Sequence, residues 1–297
     1  MCGIVGLLLR RAELRPALGE LIVPMFECMA ERGPDSAGVA VFSEPSSAEL
    51  CKASLYASSE TYDWPALERR MASDFGTAIR MQAHGNHALF VLPREEGVRE
   101  WLRAHAPGVR LLSVGAAIEV WKDEGNPRAI LKKYGFSKFE GSHAIGHTRM
   151  ATESRVSPAH AHPYTAGRDF CLVHNGSLSN PYMLRRKLEA AGVPFETDND
   201  TEAACRYLEW RLSQGDDLEH AIGHAFVDLD GFYTLLIGTR HHMTLVRDPV
   251  ACKPAVVAET DDYVAVASEF RSLSHLPGIE NARLFEPLPA RIYSWTA

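Results

Sequence analysis

Residues 2–9 read CGIVGLLL, a cysteine and a glycine followed by an apolar run. A short run without polar interruption is typical of a strand buried on both faces, so this run predicts such a strand. Removal of Met1 ahead of a small residue is expected, and Cys2 would then carry both a thiol and a free α-amine. Gly3 and Gly6 leave the backbone beside this thiol open to close approach.

A thiol and an α-amine on one residue form a self-contained nucleophile and base. The reference pKa of an α-amine is about 7.7–8.0, so at neutral pH it can accept the thiol proton directly or through a water. The alternative is that Cys2 is simply buried, which is common for cysteines that form no disulfide. The six cysteines form no CxxC pair, and their spacing suits neither a zinc site nor a disulfide scaffold.

The composition is that of an ordinary globular protein. The chain has 297 residues, of which 46% are hydrophobic and 23% charged, and its formal net charge is −7. An acidic chain is a poor match for a nucleic acid backbone, and no apolar run has the roughly 18–20 residues that a membrane span needs. Because Arg10 and Arg11 follow the apolar start, the order is the reverse of a signal peptide. We therefore expect a cytoplasmic protein that binds neither nucleic acid nor membrane.

Hydrophobic periodicity predicts strands at both ends of the chain around a central block of helices, and hence two packed sheets covered by helices. Helices are predicted over residues 18–29, 64–83, 95–106, 127–134, 181–192, 201–214 and 216–229. Strands are predicted over residues 4–9, 39–42, 50–56, 87–92, 109–122, 142–150, 170–174, 232–238, 243–247, 255–258, 263–268 and 290–295.

Several different short blocks rich in polar residues are distributed along the chain. After CGIVG they read RGPDSAG at 32–38, GHTRMAT at 146–152, HAHPY at 160–164, VHNGSLSN at 173–180, DTE at 200–202 and RDPVACKP at 247–254. In this order the blocks resemble those of the class II glutamine amidotransferases, which are N-terminal-nucleophile amide hydrolases. The resemblance extends from residue 2 to about residue 269.

This resemblance implies an α+β fold, the four-layer αββα sandwich of the N-terminal-nucleophile hydrolases. Residues 1–297 are then a single glutamine amidotransferase domain. Residues 57–140 carry none of the blocks and are interpreted as an α/β insertion within that domain.

The resemblance also assigns the catalytic residues. Cys2 would attack the side-chain amide of L-glutamine, and the oxyanion that forms would be held by the Asn175 amide and the Gly176 backbone N–H. Such preorganised donors are often worth about 2.7–4 kcal/mol each. By composition alone, Asn175-Gly176 is equally typical of a hairpin turn.

The other end of glutamine carries a carboxylate and an ammonium. The family places Arg149 on the carboxylate and Asp200 on the ammonium, and Thr152 and His162 match positions lining the same pocket. Arg32 matches a structural residue near the nucleophile. The alternatives are a surface salt bridge for Arg149 and a helix cap for Asp200.

Two departures from the family pattern stand out. Met150 replaces a bulky aromatic that usually shapes the glutamine pocket or the ammonia exit, and Glu153-Ser154 replaces the His-Gly of the sugar-amidating branch. The chain is most similar to the stand-alone amidotransferase subunits of N-methylglutamate synthase and glutamate-synthase-like complexes. It would supply ammonia to a partner synthase subunit, because only 28 residues follow residue 269.

The resemblance implies a flavin and an iron–sulfur cluster on the partner subunits and no cofactor in this chain. Two alternatives stay open: a free-standing amidohydrolase of another γ-glutamyl amide, and a non-catalytic binding module on the same fold. No metal site is predicted. His220 and His224 have helical spacing but lack the glutamate of a zinc-hydrolase motif, which favours a solvated or capping role.

Overall fold

Two antiparallel sheets packed face to face form the centre of the computed structural model, which describes residues 2–43, 50–76, 79–151 and 155–297. The strands are β1 (Gly3–Leu9), β2 (Ser36–Phe42), β3 (Cys51–Ala57), β4 (Arg80–His84), β5 (His87–Leu92), β6 (Val109–Gly115), β7 (Ile118–Glu124), β8 (His143–Arg149), β9 (Tyr164–Thr165), β10 (Phe170–Leu178), β11 (Gly231–Thr239), β12 (His242–Arg247), β13 (Val256–Glu259), β14 (Tyr263–Ala267), β15 (Arg283–Phe285) and β16 (Arg291–Thr296). The α-helices are α1 (Leu18–Met29), α2 (Trp64–Phe75), α3 (Val98–His105), α4 (Pro127–Lys133), α5 (Pro181–Ala190), α6 (Asp200–Ser213) and α7 (Leu218–Asp228).

The first central sheet has seven strands in the order β15-β13-β14-β1-β8-β2-β7, and the second has five in the order β16-β12-β11-β10-β9. The strand that follows Cys2 therefore lies in the middle of its sheet. It pairs antiparallel with β14 on one side and with β8 on the other.

Alternating side chains of β1 enter two different cores, as the period of two in a strand requires. Ile4 and Leu8 pack between the sheets against Leu236 and Leu245. The intervening side chains, Val5, Leu7 and Leu9, pack under α1 on the outer face. A third core joins the five-stranded sheet to α5, α6 and α7. These three apolar layers give the order helix, sheet, sheet, helix, which confirms the predicted four-layer αββα fold.

A third sheet, with four strands in the order β4-β5-β3-β6, stands beside the sandwich. Together with α2 and α3 it encloses a separate core. This sheet begins at Cys51 and ends at Gly115, whereas β7 pairs with β2 in the seven-stranded sheet. The insertion predicted over residues 57–140 therefore spans parts of two sheets, and its status as an inserted unit stays a prediction.

Buried polar groups join the third sheet to the sandwich. The Tyr134 hydroxyl donates to Asp123 Oδ2 at 2.6 Å and lies 2.9 Å from both His87 Nδ1 and Asn86 Oδ1. Burial lowers the pKa of His87 to about 4, so the ring is neutral where the third sheet contacts the sandwich. At the other end, the Asp169 carboxylate accepts three backbone N–H groups, those of residues 116–118, at 2.8–3.0 Å.

The helix predicted over residues 64–83 is wrong in its second half. α2 ends at Phe75, before Gly76 with φ 106°, and β4 then runs along the edge of the third sheet. β4 is largely exposed and its composition resembles a helix surface, so its pairing with β5 decides its conformation. The strand predicted over residues 170–174 also continues further, to Leu178. None of the described helices combines the length and the apolar character needed to cross a membrane.

Candidate active site

Cys2 lies at the end of the sandwich where strands of both central sheets meet. Gly3 pairs with Thr148, so Cys2 stands beside Arg149, the last residue of β8. From the opposite sheet, Asn175 Nδ2 donates to the Cys2 carbonyl at 3.4 Å. The face-to-face packing of the sheets thus brings together residues that are 173 positions apart.

A cleft of about 190 Å³ opens at this point, and we name it the Cys2 cleft. It is lined by Cys2, Arg149, Met150, His162, His174, Gly176, Ser177, Leu178, Pro181, Tyr182, Asp198, Asn199, Asp200 and Thr201. Of the predicted site residues, this set includes Cys2, Arg149, His162, Gly176 and Asp200. Thr152 lies outside the described residues, as do the neighbouring Glu153 and Ser154.

Arg32 fixes the backbone of Cys2. Its Nε donates to the Cys2 carbonyl at 3.1 Å, and its guanidinium forms an ion pair with Glu269. Burial alone would raise the pKa of Glu269, but Arg32 and Arg271 hold it below its ordinary value. The structure therefore places Arg32 beside Cys2 and pairs it with Glu269, which no sequence pattern indicated.

The block at residues 32–38 packs against the end of β8 without space for larger side chains. A Cβ atom on Gly33 would lie 2.3 Å from the Thr148 carbonyl carbon. Asp35 then accepts the backbone N–H of Ala151 at 2.8 Å, which holds the chain just after Arg149. This block therefore positions the cleft wall.

Asn175 and Gly176 lie inside β10, paired with Thr234 and Tyr233 of β11. The alternative interpretation of Asn175-Gly176 as a hairpin turn is therefore wrong. Gly176 has φ 153°, and a Cβ atom there would lie 2.1 Å from the Phe232 carbonyl oxygen. Only glycine fits this position, which leaves the backbone at Gly176 accessible from the cleft.

Arg149 and Asp200 both line the cleft. Arg149 is 5% exposed and donates to the Arg155 carbonyl at 3.2 Å, so its side chain is buried in the cleft wall and does not lie on the surface. Asn199, and not Asp200, is the N-cap of α6, because its side chain accepts the Thr201 N–H. Asp200 Oδ2 instead accepts the Leu178 N–H at 3.0 Å.

A hydrogen-bond network that sequence patterns did not indicate lies behind Asp200. The Thr201 hydroxyl is 2.8 Å from His162 Nε2 and 3.0 Å from His174 Nδ1, and it donates to Asp200 Oδ1 at 3.3 Å. A hydroxyl carries one proton, so when it donates to Asp200 both rings must donate to it. This arrangement assigns the proton to Nε2 in His162 and to Nδ1 in His174.

The three histidines of this region are buried and neutral. Burial lowers the pKa of His147 to about 3, and its ring packs on His162 with 4.0 Å between centroids. Burial also lowers the pKa of His162 and His174, although Asp200 opposes the shift at His174. The three histidine rings at the Cys2 cleft are therefore uncharged at neutral pH.

We expect these rings to make the protein acid-sensitive. Below about pH 6.5 the unfolded chain protonates each histidine and the folded chain does not, so the free energy of unfolding should fall by about 1.4 kcal/mol per pH unit for each ring. In His147→Gln the free energy of unfolding should depend less steeply on pH, by about 1.4 kcal/mol per pH unit. Urea unfolding between pH 6 and pH 5 measures this dependence. His220→Gln is the control because His220 is exposed beside Asp217, which raises its pKa. Equal slopes for wild type and His147→Gln would contradict the expectation.

The block at residues 247–254 has a structural role. Asp248 is fully buried and accepts the Tyr233 N–H at 3.0 Å, next to the strand position of Gly176. Arg247 donates to the carbonyls of Pro287 and Ala251, at 2.6 Å each. Within the described ranges, no group of three or more histidine, cysteine or acidic side chains is placed to hold a metal ion.

A four-layer sandwich with a cysteine just ahead of a central strand is the architecture of the N-terminal-nucleophile hydrolases. The structure matches that of glutamine phosphoribosylpyrophosphate amidotransferase from B. subtilis with a TM-score of 0.63 and 19% identity, over 99% of this chain and 47% of that one. This likeness shows the fold, and the chain spans about half of that enzyme.

Sequence comparisons give the family. A model of the glutamine amidotransferase domain matches residues 147–275. The glutamine amidotransferase-like protein GlxB of Rhizobium meliloti is 46% identical over 297 residues, which is 99% of this chain and 98% of that protein. The glutamine–fructose-6-phosphate aminotransferase of Salmonella paratyphi A is 39% identical over 107 residues, 36% of this chain and 17% of that one. The chain belongs to the glutamine amidotransferase family.

Proposed function

We propose that this chain is a glutaminase subunit that hydrolyses the side-chain amide of L-glutamine and supplies the ammonia to a partner synthase. The observation that carries the proposal is that Cys2 and Gly176 line one cleft with Arg149 and Asp200. Asn175 adjoins it and donates to the Cys2 carbonyl. These residues come from both central sheets and from α6, and they provide a nucleophile, oxyanion donors and groups complementary to an amino acid.

The proposed reaction begins after Met1 is removed. The α-amine of Cys2 takes the thiol proton, and the thiolate attacks the amide carbon. Asn175 Nδ2 and the Gly176 N–H stabilise the oxyanion of the tetrahedral intermediate. The C–N bond then breaks, the nitrogen takes the proton from the α-ammonium group, and ammonia leaves a thioester on Cys2. Water attacks this thioester, which releases glutamate and restores the thiol.

Substrate orientation follows from the charges in the cleft. The Arg149 guanidinium can hold the α-carboxylate of glutamine with two parallel hydrogen bonds. Asp200, 25% exposed at its side chain, pairs with the α-ammonium group. His162 lines the same cleft and, through Thr201, helps to fix the Asp200 carboxylate. Thr152 is proposed to contact the substrate as well.

The partner is proposed to cover the mouth of the Cys2 cleft. Met150 and Tyr182 line the cleft with 46% and 75% of their surface exposed, and exposed apolar side chains are a feature of protein interfaces. The proposed partner is a synthase of the N-methylglutamate synthase or glutamate-synthase-like type. It would carry the flavin and the iron–sulfur cluster, and this chain would carry no cofactor.

A second candidate is an amidohydrolase of another γ-glutamyl amide that acts without a partner. The exposed Met150 favours it, because this residue stands where a bulky aromatic would narrow the mouth, and a substituted amide could extend past it. The chemistry and the site residues would be the same, and only the leaving group would differ.

The test combines N-terminal sequencing with assays of the purified chain and of the complex isolated from its native source. We expect Met1 to be absent, glutamate and ammonia to form in equal amounts, and a synthase to co-purify and use the ammonia. Faster turnover of a substituted γ-glutamyl amide by the isolated chain would favour the second candidate. Active protein that retains Met1 would contradict the α-amine mechanism.

A further inference from the structure

A second polar cavity lies behind the Cys2 cleft, and we name it the Lys122 cavity. It measures about 40 Å³, and the residues important here are Arg99, Arg110, Lys122, Tyr164, Glu202 and Arg206. Two chain segments separate it from the Cys2 cleft. His162 and Asp198 line the cleft, whereas Tyr164 and Thr197, on the same segments, line the cavity.

Lys122 places a buried positive charge in the cavity wall. The side chain is 5% exposed, and its Nζ donates to the carbonyls of Ala161 and Pro163 at 2.9 and 3.0 Å. In the part of the chain that the structure describes, no carboxylate lies within ion-pair distance of Nζ. Burial lowers its pKa to about 8, which leaves the ammonium largely protonated at neutral pH. A buried cation of this kind is stabilised by an anionic partner.

The carboxylates in the wall are already engaged. Glu202 accepts the backbone N–H groups of Glu196 and Thr197 at 2.8 and 2.7 Å. The Glu196 carboxylate pairs with Arg99 at 2.8 Å. Arg206 Nε lies 3.6 Å from Glu202, so the two carboxylates pair with two of the four cationic side chains. Among the described residues, Arg110 and Lys122 have no carboxylate partner, and the wall has an excess of positive charge.

Polar donors in the same wall lack hydrogen bonds. The Tyr164 hydroxyl, on a residue that is 5% exposed, is buried without a hydrogen bond of normal geometry to a described residue, and Thr197 is its polar neighbour. Arg206 Nε is also buried without a hydrogen bond, and lies 3.6 Å from the Glu202 carboxylate. Unsatisfied buried donors are rare in proteins, and here they face the same space as Lys122.

We propose that the Lys122 cavity binds a phosphate group, either free phosphate or the phosphate of a small monoester. A phosphate group carries about −1.5 to −2 charges at pH 7 and has several strong acceptor oxygens, which matches the excess charge and the free donors. Arg99 and Leu111 also line two wider cavities of about 630 and 330 Å³ outside it. These provide room for the organic part of a monoester.

Calorimetric titration of the purified full-length chain, at constant ionic strength maintained with chloride, tests this proposal. Inorganic phosphate should bind saturably with one site per chain, and Arg110→Gln and Arg206→Gln should each weaken binding by about tenfold or more. Arg103→Gln is the matched control, because Arg103 lines only an outer cavity. Tighter binding of glycerol 3-phosphate would identify a monoester site, and equal or weaker binding would identify a free-phosphate site.

Glutamine hydrolysis and circular dichroism of each variant would show whether the fold is retained. A loss of phosphate binding in variants with unchanged spectra would support the proposal. Heat that does not saturate, or equal weakening in Arg103→Gln and Arg110→Gln, would overturn it. The titration does not depend on catalysis, so its result is independent of the proposed glutaminase function.

Discussion

Cys2→Ala should abolish glutamine hydrolysis, with kcat reduced by about 10⁴-fold or more. Without the thiol no thioester can form, and enzymes that lose their nucleophile keep only the activity that binding and the oxyanion donors provide. Glutamate release from purified wild type and variant, after confirmed removal of Met1, measures the effect.

Cys252→Ala provides the control for this experiment. Cys252 is an exposed free cysteine, and it does not line the Cys2 cleft. We expect this variant to keep wild-type activity. Equal hydrolysis by wild type and Cys2→Ala would exclude the proposed nucleophile, and binding of glutamine to Cys2→Ala would show that its cleft is intact.

Asn175→Ala should have the second-largest effect, a decrease in kcat of about 10²–10³-fold with a small change in KM. The reason is that an oxyanion donor acts on charge that develops only in the transition state, where one donor is worth about 2.7–4 kcal/mol. Steady-state kinetics of glutaminase activity separates kcat from KM.

Asn281→Ala is the matched control, because its side chain is exposed and bonds only the neighbouring Glu280 among described residues. Asn175→Asp would add a second test, since it keeps the size and replaces the amide donor by a negative charge. A variant that raises KM and leaves kcat unchanged would indicate that Asn175 binds substrate and does not serve the oxyanion.

The sandwich and the main wall residues could be predicted from sequence because their signals are local. The apolar run of β1 and the helical periodicity of α1 need no distant partner to be recognised. Short blocks such as VHNGSLSN place Asn175 and Gly176 in a recognisable order. The αββα prediction was correct for this reason.

The remaining features depend on contacts between distant residues. Glu269 meets Arg32 across 237 positions, and Thr201 meets His162 across 39. The β4 strand is stabilised by pairing with β5. Its residues are largely exposed and have a composition typical of a helix, so the sequence pattern did not indicate a strand. Lys122 is part of an ordinary strand pattern, and only the fold brings it into one cavity with Arg110 of β6 and Arg206 of α6.

The central position of β1 determines when, during synthesis, the strand can pair with both of its neighbours. Its neighbour β14 ends at residue 267, so the ribosome must make at least 267 residues before β1 can gain both partners. At about 5–20 residues per second, synthesis leaves Cys2 outside its final environment for some tens of seconds. Met1 can be removed in that interval. A nascent chain that stops short of β14 lacks one of the two strands that hold β1, so the environment of Cys2 is incomplete until synthesis has passed residue 267.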